Sequence, residues 1–318
     1  CEVDDDLGCS GGKVTLPCNM PSMDKIKPTT NALTKWLAKY DVPKKYTISA
    51  KLDGVSGLYT TEGPEPKLYT RGDGTIGQDI SYLIPHLSLP DKKDLVIRGE
   101  FIISKSNFKK HFKEQKNARN TVAGMTNKIT IDPKIKYVDF VAYELIQPSL
   151  SPEAQMKFLK DIKELKVVKN ETRTNITNDI LSDMLVEWRD KYAYDIDGII
   201  VAHDKIYPRG KGNPDHAFAF KMVLSDQVAE AKVVDVIWKP SKDGLIKPKI
   251  QIEPVELGGT KIEFATGFNA AFIKKNNIGV GAIVGIVRAG DVIPHVEKVI
   301  KPASEPLMPD IPYVWSKT

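Results

Sequence analysis

Charged residues interrupt four stretches of this sequence that are otherwise apolar enough to be buried strands, and that conflict constrains the fold more than any other feature. In "ISAKLDGVSGLYT" (48–60), Ile48, Ala50 and Leu52 alternate with Ser49, Lys51 and Asp53, so Lys51 and Asp53 share one strand face. Arg98 and Glu100 share a face in "VIRGEF", Asp197 interrupts "DIDGII", and Lys221 ends "AFAFK". Taken singly, each reads as well as a solvated strand-end charge. A buried charge is costly unless paired or used, so together they predict neighbouring strands converging on one charged pocket.

Strand signals lie at 46–60, 67–70, 94–103 and 136–146, with "TEGPEP" as the hairpin connection between the first two. Leu33, Trp36, Leu37 and Tyr40 form one helical stripe after Thr29 or Thr30. Ser151 caps a second helix, with Pro152 at its first position and Met156, Leu159, Ile162 and Leu165 as its buried face. A third, over 178–192, carries Leu181, Leu185, Trp188 and Tyr192. This predicts a mixed α+β domain over 21–227, behind a poorly structured lead-in at 1–20. After about residue 228 come five short strands, with the helix "NAAFIKKNN" between the third and fourth. That order is expected of a small Greek-key OB barrel over 228–303, leaving a tail at 304–318.

At 318 residues, 41% hydrophobic and 27% charged, the chain is too long for one ordinary core. No apolar run approaches the ~20 residues that span a bilayer, and "CEVDDDLGCSGG" is not a signal peptide. The expectation is a soluble, intracellular protein with no membrane partner; opening on Cys rather than Met suggests a piece of something longer. Its three cysteines, Cys1, Cys9 and Cys18, lack the close pairs of a zinc site and read as free thiols. The net charge of +5 only mildly favours polyanions. Cations concentrate in "SKSNFKKHFKEQKNARN" (104–120) and "NKITIDPKIK" (127–136), where the common reading is a solvated face.

Two lysines, an arginine and several acids suit phosphate chemistry. A lysine amine is nucleophilic only when deprotonated, a form favoured by a neighbouring cation such as Lys221 or Mg²⁺. Glu100 and Asp197 are candidate Mg²⁺ ligands. Spacing does not choose a covalent lysyl–phosphorus intermediate over a non-covalent phosphate site. The glycines of "TRGDGTIGQD" (70–79) allow close approach of a phosphate with Arg71 aimed at it, although a β-turn explains them equally. The Arg71-Gly72-Asp73 tripeptide of adhesion ligands belongs to secreted proteins.

These segments resemble the NAD⁺-dependent DNA ligases. "AKLDG" is similar to the family's Lys-x-Asp-Gly nucleotidyltransferase motif, "TRGDGTIGQD" to its "ATRGDGTTGED" loop, "VIRGEF" to its "VRGE" strand and "NARNTVAGM" to its "NPRNAAAG" segment. "DIDGII" and "AFAFKM" resemble the fourth and fifth motifs, "NMPSMDKI" the "PMLSLDN" segment, and "IEPVELGGTKIEFATGFN" with "VRAGDVIP" the OB signatures. The likeness runs from about residue 17 to 303. Lys-x-Asp-Gly alone is shared with ATP-dependent ligases and capping enzymes; the other segments, in this order, point to the NAD⁺ branch.

The resemblance implies an α+β nucleotidyltransferase (ATP-grasp-like ligase adenylation) domain followed by an OB barrel, acting as a monomer. Lys51 would attack the α-phosphate of NAD⁺ and become AMP-lysine; AMP then moves to the 5′-phosphate of a nick in double-stranded DNA, and the 3′-hydroxyl displaces it. Arg71 and Glu100 would hold the ribose side, Lys221 the α-phosphate, and Ser22 and Met23 the adenosine end. Asp53 and Asp197 would orient Lys51 or place Mg²⁺; Arg119 and Arg288 would contact DNA.

Three departures stand out. Ser49 occupies the place where the family has the adenine-reading Glu. Ala202 and His203 follow the fourth motif where a lysine is usual, leaving His203 as a possible substitute. An arginine expected after "AAAGSL" is absent near Asn127 and Lys128. The set looks more like the ligases of large DNA viruses than the bacterial pattern. No N-terminal cluster of Tyr, His and Asp for the nicotinamide mononucleotide half is visible, so the chain alone is expected to react poorly with NAD⁺. The competing expectations are an ATP-dependent ligase or guanylyltransferase, and a catalytically idle DNA-binding module.

Overall fold

The computed structural model describes residues 12–128, 130–224, 227–242, 244–257, 259–288 and 293–316. They divide into two units, with the boundary between Met222 and Val223. In the first, β1 (Lys13–Thr15), β2 (Lys25–Ile26) and α1 (Ala32–Lys39) precede β3 (Tyr46–Leu52) and β4 (Val55–Thr60). Next come β5 (Lys67–Thr70), β6 (Ile76–Asp79), β7 (Val96–Ile103), α2 (Lys105–His111), α3 (Ala118–Thr126) and β8 (Val138–Gln147). The unit ends with α4 (Pro152–Lys160), β9 (Lys166–Val167), β10 (Asn170–Arg173), α5 (Asn178–Lys191), β11 (Ile196–His203) and β12 (Ala217–Phe220). One sheet has the order β1-β6-β5-β4-β7-β8-β9, the other β10-β3-β11-β12-β2.

The strand expected over 46–60 is therefore two strands in two sheets, broken at Asp53 and Gly54. The break depends on Gly54. A Cβ there would lie 2.3 Å from the Phe101 carbonyl oxygen, so only glycine lets the chain cross this close to β7. Ile48, Ala50 and Leu52 of β3 enter one core with Ile199, Phe218 and α5; Phe101, Phe140 and α3 build the other. The poorly structured lead-in does not reach residue 20. β1 pairs with β6, the Leu16 N–H donates to Thr75 O at 2.8 Å, and Met20 is fully buried. Residues 1–11 lie outside the described residues.

Two helices arise in the lysine-rich stretch 104–126, where no helix boundaries were expected. Ser104 caps α2 by accepting from the Asn107 N–H, and Asn117 caps α3 by accepting from that of Asn120.

The second unit is a closed barrel of β13 (Val228–Pro240), β14 (Ile246–Leu257), β15 (Thr260–Thr266), β16 (Ile283–Val287) and β17 (His295–Lys301), in the order β13-β14-β15-β17-β16. Helix α6 (Ala270–Lys275) lies between β15 and β16, as the strand count predicted. Val233, Ile250, Ile273, Val284, Ile286 and Val296 fill its interior. The expected tail begins as part of this unit: Leu307 N–H donates to Ile278 O, and its carbonyl accepts from Trp238 Nε1 at 3.0 Å. Residues 289–292 of "VRAGDVIP" lie outside the described residues. No helix among the described residues is long and apolar enough to cross a membrane.

Candidate active site

β3 and β11 run antiparallel, with Lys51 opposite Gly198 and a register shift between Ile196 and Gly198. Asp197 is thus the extra residue of a β-bulge, a device that re-aims a side chain out of the ladder. It is aimed at Lys51: Nζ lies 3.1 Å from Oδ1 and 3.4 Å from Oδ2. Lys221, just beyond β12, places its own Nζ 2.9 Å from Oδ2. Burial raises the Asp197 pKa, but the two ammonium groups outweigh it and hold the carboxyl below its ordinary range.

Glu100 comes from the other sheet. It is 8% exposed, and its Oε1 accepts the Gly54 N–H at 3.1 Å. Burial pushes its pKa to about 8; the charges of Lys51 and Arg119 and the Gly54 hydrogen bond offset only part of that. At neutral pH this carboxyl is mostly protonated.

These groups line one cavity of about 950 Å³, which also contains Ser22, Met23, Ser49, Arg71 and Arg119. Asp53 lies off its wall, in the β3–β4 break, with Oδ1 3.3 Å from Arg119 Nη1. Arg288 belongs to the second unit, where Nη1 donates to Leu257 O at 3.4 Å. Ala202 lines the cavity, but the alternation of β11 turns His203 the other way. His203 is 1% exposed, with Nε2 donating to Pro43 O at 2.7 Å and Nδ1 bonded to the Tyr207 hydroxyl. It is a satisfied core histidine and does not replace the missing lysine.

Sequence reasoning passed over a clamp behind the cavity. Three arginines, Arg98 from β7 and Arg71 and Arg209 from loops, donate to successive carbonyls of the segment leading to Ser22: Arg209 to Asn19 at 3.0 Å, Arg71 to Met20 at 2.8 Å and Arg98 to Pro21 at 3.1 Å. Arg71 Nη2 also donates to Ser22 Oγ at 2.9 Å. Glu144 ties two of them together, bridging Arg98 at 3.3 Å and Arg209. The Arg98 guanidinium sits over the Tyr143 ring, whose hydroxyl bonds Ser56 Oγ at 2.6 Å. Polar residues 143 and 144 inside the apolar run "VDFVAYELI" were the signal available for this cluster; Arg209, in a Gly- and Pro-rich loop, carried none.

Two family descriptions cover nearly the whole chain. "NAD-dependent DNA ligase adenylation domain" matches residues 14–222, and "NAD-dependent DNA ligase OB-fold domain" matches 230–306. The chain belongs to the NAD-dependent DNA ligase family. A DNA ligase of Acanthamoeba polyphaga mimivirus is 43% identical over 317 residues, covering 96% of this chain and 49% of the relative. A DNA ligase of Clostridioides difficile is 31% identical over 284 residues, covering 81% of this chain and 42% of the relative. The chain thus spans about half the length of these curated ligases. A solved structure of the Lig E DNA ligases shares the fold at TM-score 0.57 and 17% identity, covering 88% of this chain and all of that one. The adenylation and OB-fold architecture follows from both the family match and the observed barrel.

Proposed function

We propose that this chain takes AMP from NAD⁺ onto Lys51 and passes it to the 5′-phosphate of a nick in double-stranded DNA, as the catalytic core of a nick-sealing ligase. The observation that carries the proposal is the Lys51–Asp197–Lys221 triad in a nucleotide-sized cavity. Asp197 fixes the direction of the Lys51 amine, and Lys221 beside it is placed to meet phosphate oxygens. The Lys51 ammonium first gives one proton to water and becomes the free amine; the new N–P bond then forms as the phosphorus–oxygen bond to nicotinamide mononucleotide breaks, that group leaves with the electron pair, and the second proton of the nitrogen passes to water. A 5′-phosphate oxygen then attacks the same phosphorus and frees Lys51, and the 3′-hydroxyl displaces AMP to close the strand.

Ser22, Met23 and Ser49 would contact the adenosine end, Arg71 and Glu100 the ribose side, and Asp53 would act through Arg119, whose guanidinium would face the nick. Arg288 would grip the duplex from the barrel. Mg²⁺ would shield charge on the transferring phosphoryl group. Glu100 would hold it only as a carboxylate, after giving up the proton that burial leaves on it, and among the described residues no cluster of three or more metal-ligating side chains supports it. Both oxygens of Asp197 face ammonium groups and suit the lysine-anchoring role better.

Intact mass after incubation with NAD⁺ or with ATP, for the parent and Lys51→Arg, tests the first half; sealing of a pre-adenylylated nick tests the second. AMP on Lys51 from NAD⁺, or Lys51-independent sealing of the pre-adenylylated nick abolished by Lys221→Ala, supports the proposal. Labelling from ATP only, or an adduct that persists in Lys51→Arg, refutes it.

A further inference from the structure

We propose that α2 and the turn preceding β8 form a second phosphate-binding site, gripping the duplex away from the nick; the proposal rests on the nick-sealing function above. Between residues 105 and 136 the chain carries nine Lys and Arg and two acids, Glu114 and Asp132. Asp132 is already engaged, accepting the Lys134 N–H at 2.8 Å. Lys109, Lys110, Lys113, Lys134 and Lys136 are all exposed, and none has a carboxylate within ion-pair distance among the described residues.

Two of these cations, Lys134 and Lys136, lie against an aromatic floor, and the charge of Lys110 acts on its imidazole. His111 stacks on Tyr137 with ring centroids 3.9 Å apart and planes 11° from parallel. Lys134 Nζ donates to His111 O at 2.9 Å and lies 5.1 Å from the Phe112 ring. Lys136 Nζ lies 5.2 Å from the Tyr137 ring. Stems laid on rings lose less rotamer freedom on binding than free lysines would. Partial burial, with the ammonium groups of Lys110, Lys134 and Lys136, depresses the His111 pKa, so the imidazole adds no charge near neutrality. Like charges gathered without counter-ions repel one another, and a polyanion relieves that repulsion.

The choice of duplex DNA comes from continuity. Arg119 in the first turn of α3 lines the cavity, and exposed Lys128 follows the other end of the same helix. A nine-residue helix is about 13 Å long, so one helix carries a cation at the cavity and a second, exposed one about that far along its axis. A duplex seated with its nick in the cleft is a polyanion running outward, with phosphates at regular intervals.

The test compares the triple variant Lys110→Gln/Lys134→Gln/Lys136→Gln with a control of equal charge, Lys44→Gln/Lys160→Gln/Lys163→Gln, and with Arg at the three platform positions. Binding of a nicked duplex is measured against salt, alongside Lys51–AMP formation. The platform variant should bind roughly tenfold more weakly at ~0.1 M salt, with a log–log salt slope smaller by about 2 to 3, at roughly 0.9 per phosphate lost. The Arg variant and the control should bind as the parent does, and all should form Lys51–AMP equally. Equal affinity and slope for the platform and control variants would overturn the site. Failure of the parent both to form Lys51–AMP and to seal a pre-adenylylated nick, or loss of all its DNA binding, would instead overturn the function beneath it.

Discussion

Replacing Glu100 with Gln should stabilise the first unit, by an amount that grows with pH. Glutamine is isosteric, keeps an acceptor for the Gly54 N–H, and mimics the protonated acid. Burial raises the folded-state pKa from the ordinary 4.5 to about 8. Below pH 4.5 both folded and unfolded chains hold the proton, and nothing is lost. As pH rises the unfolded chain releases it first, so stability falls progressively until the folded carboxyl also ionises near pH 8. At about 1.36 kcal/mol per pKa unit, the parent is penalised by about 1 kcal/mol at pH 5, about 3 at pH 7 and about 4 at pH 8. Glu100→Gln removes that penalty. Urea titrations at these three pH values, read by hydrogen exchange of amides in β3 and β7, measure the difference for this unit alone. The same variant should lose nucleotide transfer, so gained stability and lost activity appear together. A stability gain that does not change between pH 5 and pH 8, or a loss at every pH, would refute the assignment of Glu100 as a neutral buried acid.

Asp197→Asn leaves two ammonium groups facing each other without an anion; AMP-lysine formation should fall by a factor of about 100 or more, as when a catalytic positioning contact is lost, measured by intact mass over time. Glu144→Gln strips the counter-ion from Arg98, whose side chain is 7% exposed. Removing one partner of a buried pair costs about 3 kcal/mol, visible in denaturant midpoints, and slackening of residues 19–21 should raise KM for the AMP donor more than it lowers kcat. Truncation after Ala303 removes the Leu307 hydrogen bonds and its packing on the barrel, so the second unit should lose about 2 to 4 kcal/mol, followed by Trp238 fluorescence in urea.

The barrel was legible because five alternating strands and one intervening helix leave few closed arrangements. The break at Asp53–Gly54 was not, because hydrophobic alternation runs on through 48–60 and hides a change of sheet. What decides it is the 2.3 Å clearance at Gly54, a tertiary fact that no local pattern encodes. The helices at 105–126 were obscured by their lysines: α2 buries no residue fully, and α3 is anchored by Val122 and Met125. β1 has three residues and gains its place only by pairing with β6.

Charged residues in apolar strands led correctly to one pocket holding Lys51, Glu100, Asp197 and Lys221, since such side chains persist in a core only where they meet one another. The sequence could not say how their protons are shared. Eight Lys and Arg line the cavity against four acids, one of which, Glu100, is largely neutral. That excess of positive charge suits a phosphate-bearing ligand, and the Glu100 proton reports how the ligand arrives. A nucleotide alone brings negative charge and raises the proton affinity of Glu100 further. A nucleotide accompanied by a divalent cation lowers it. Near pH 8, where Glu100 is about half protonated, calorimetry in buffers of different ionisation enthalpy should record proton uptake in the first case and release in the second. Glu100→Gln should abolish both signals; an unchanged signal in that variant would place the proton on another group.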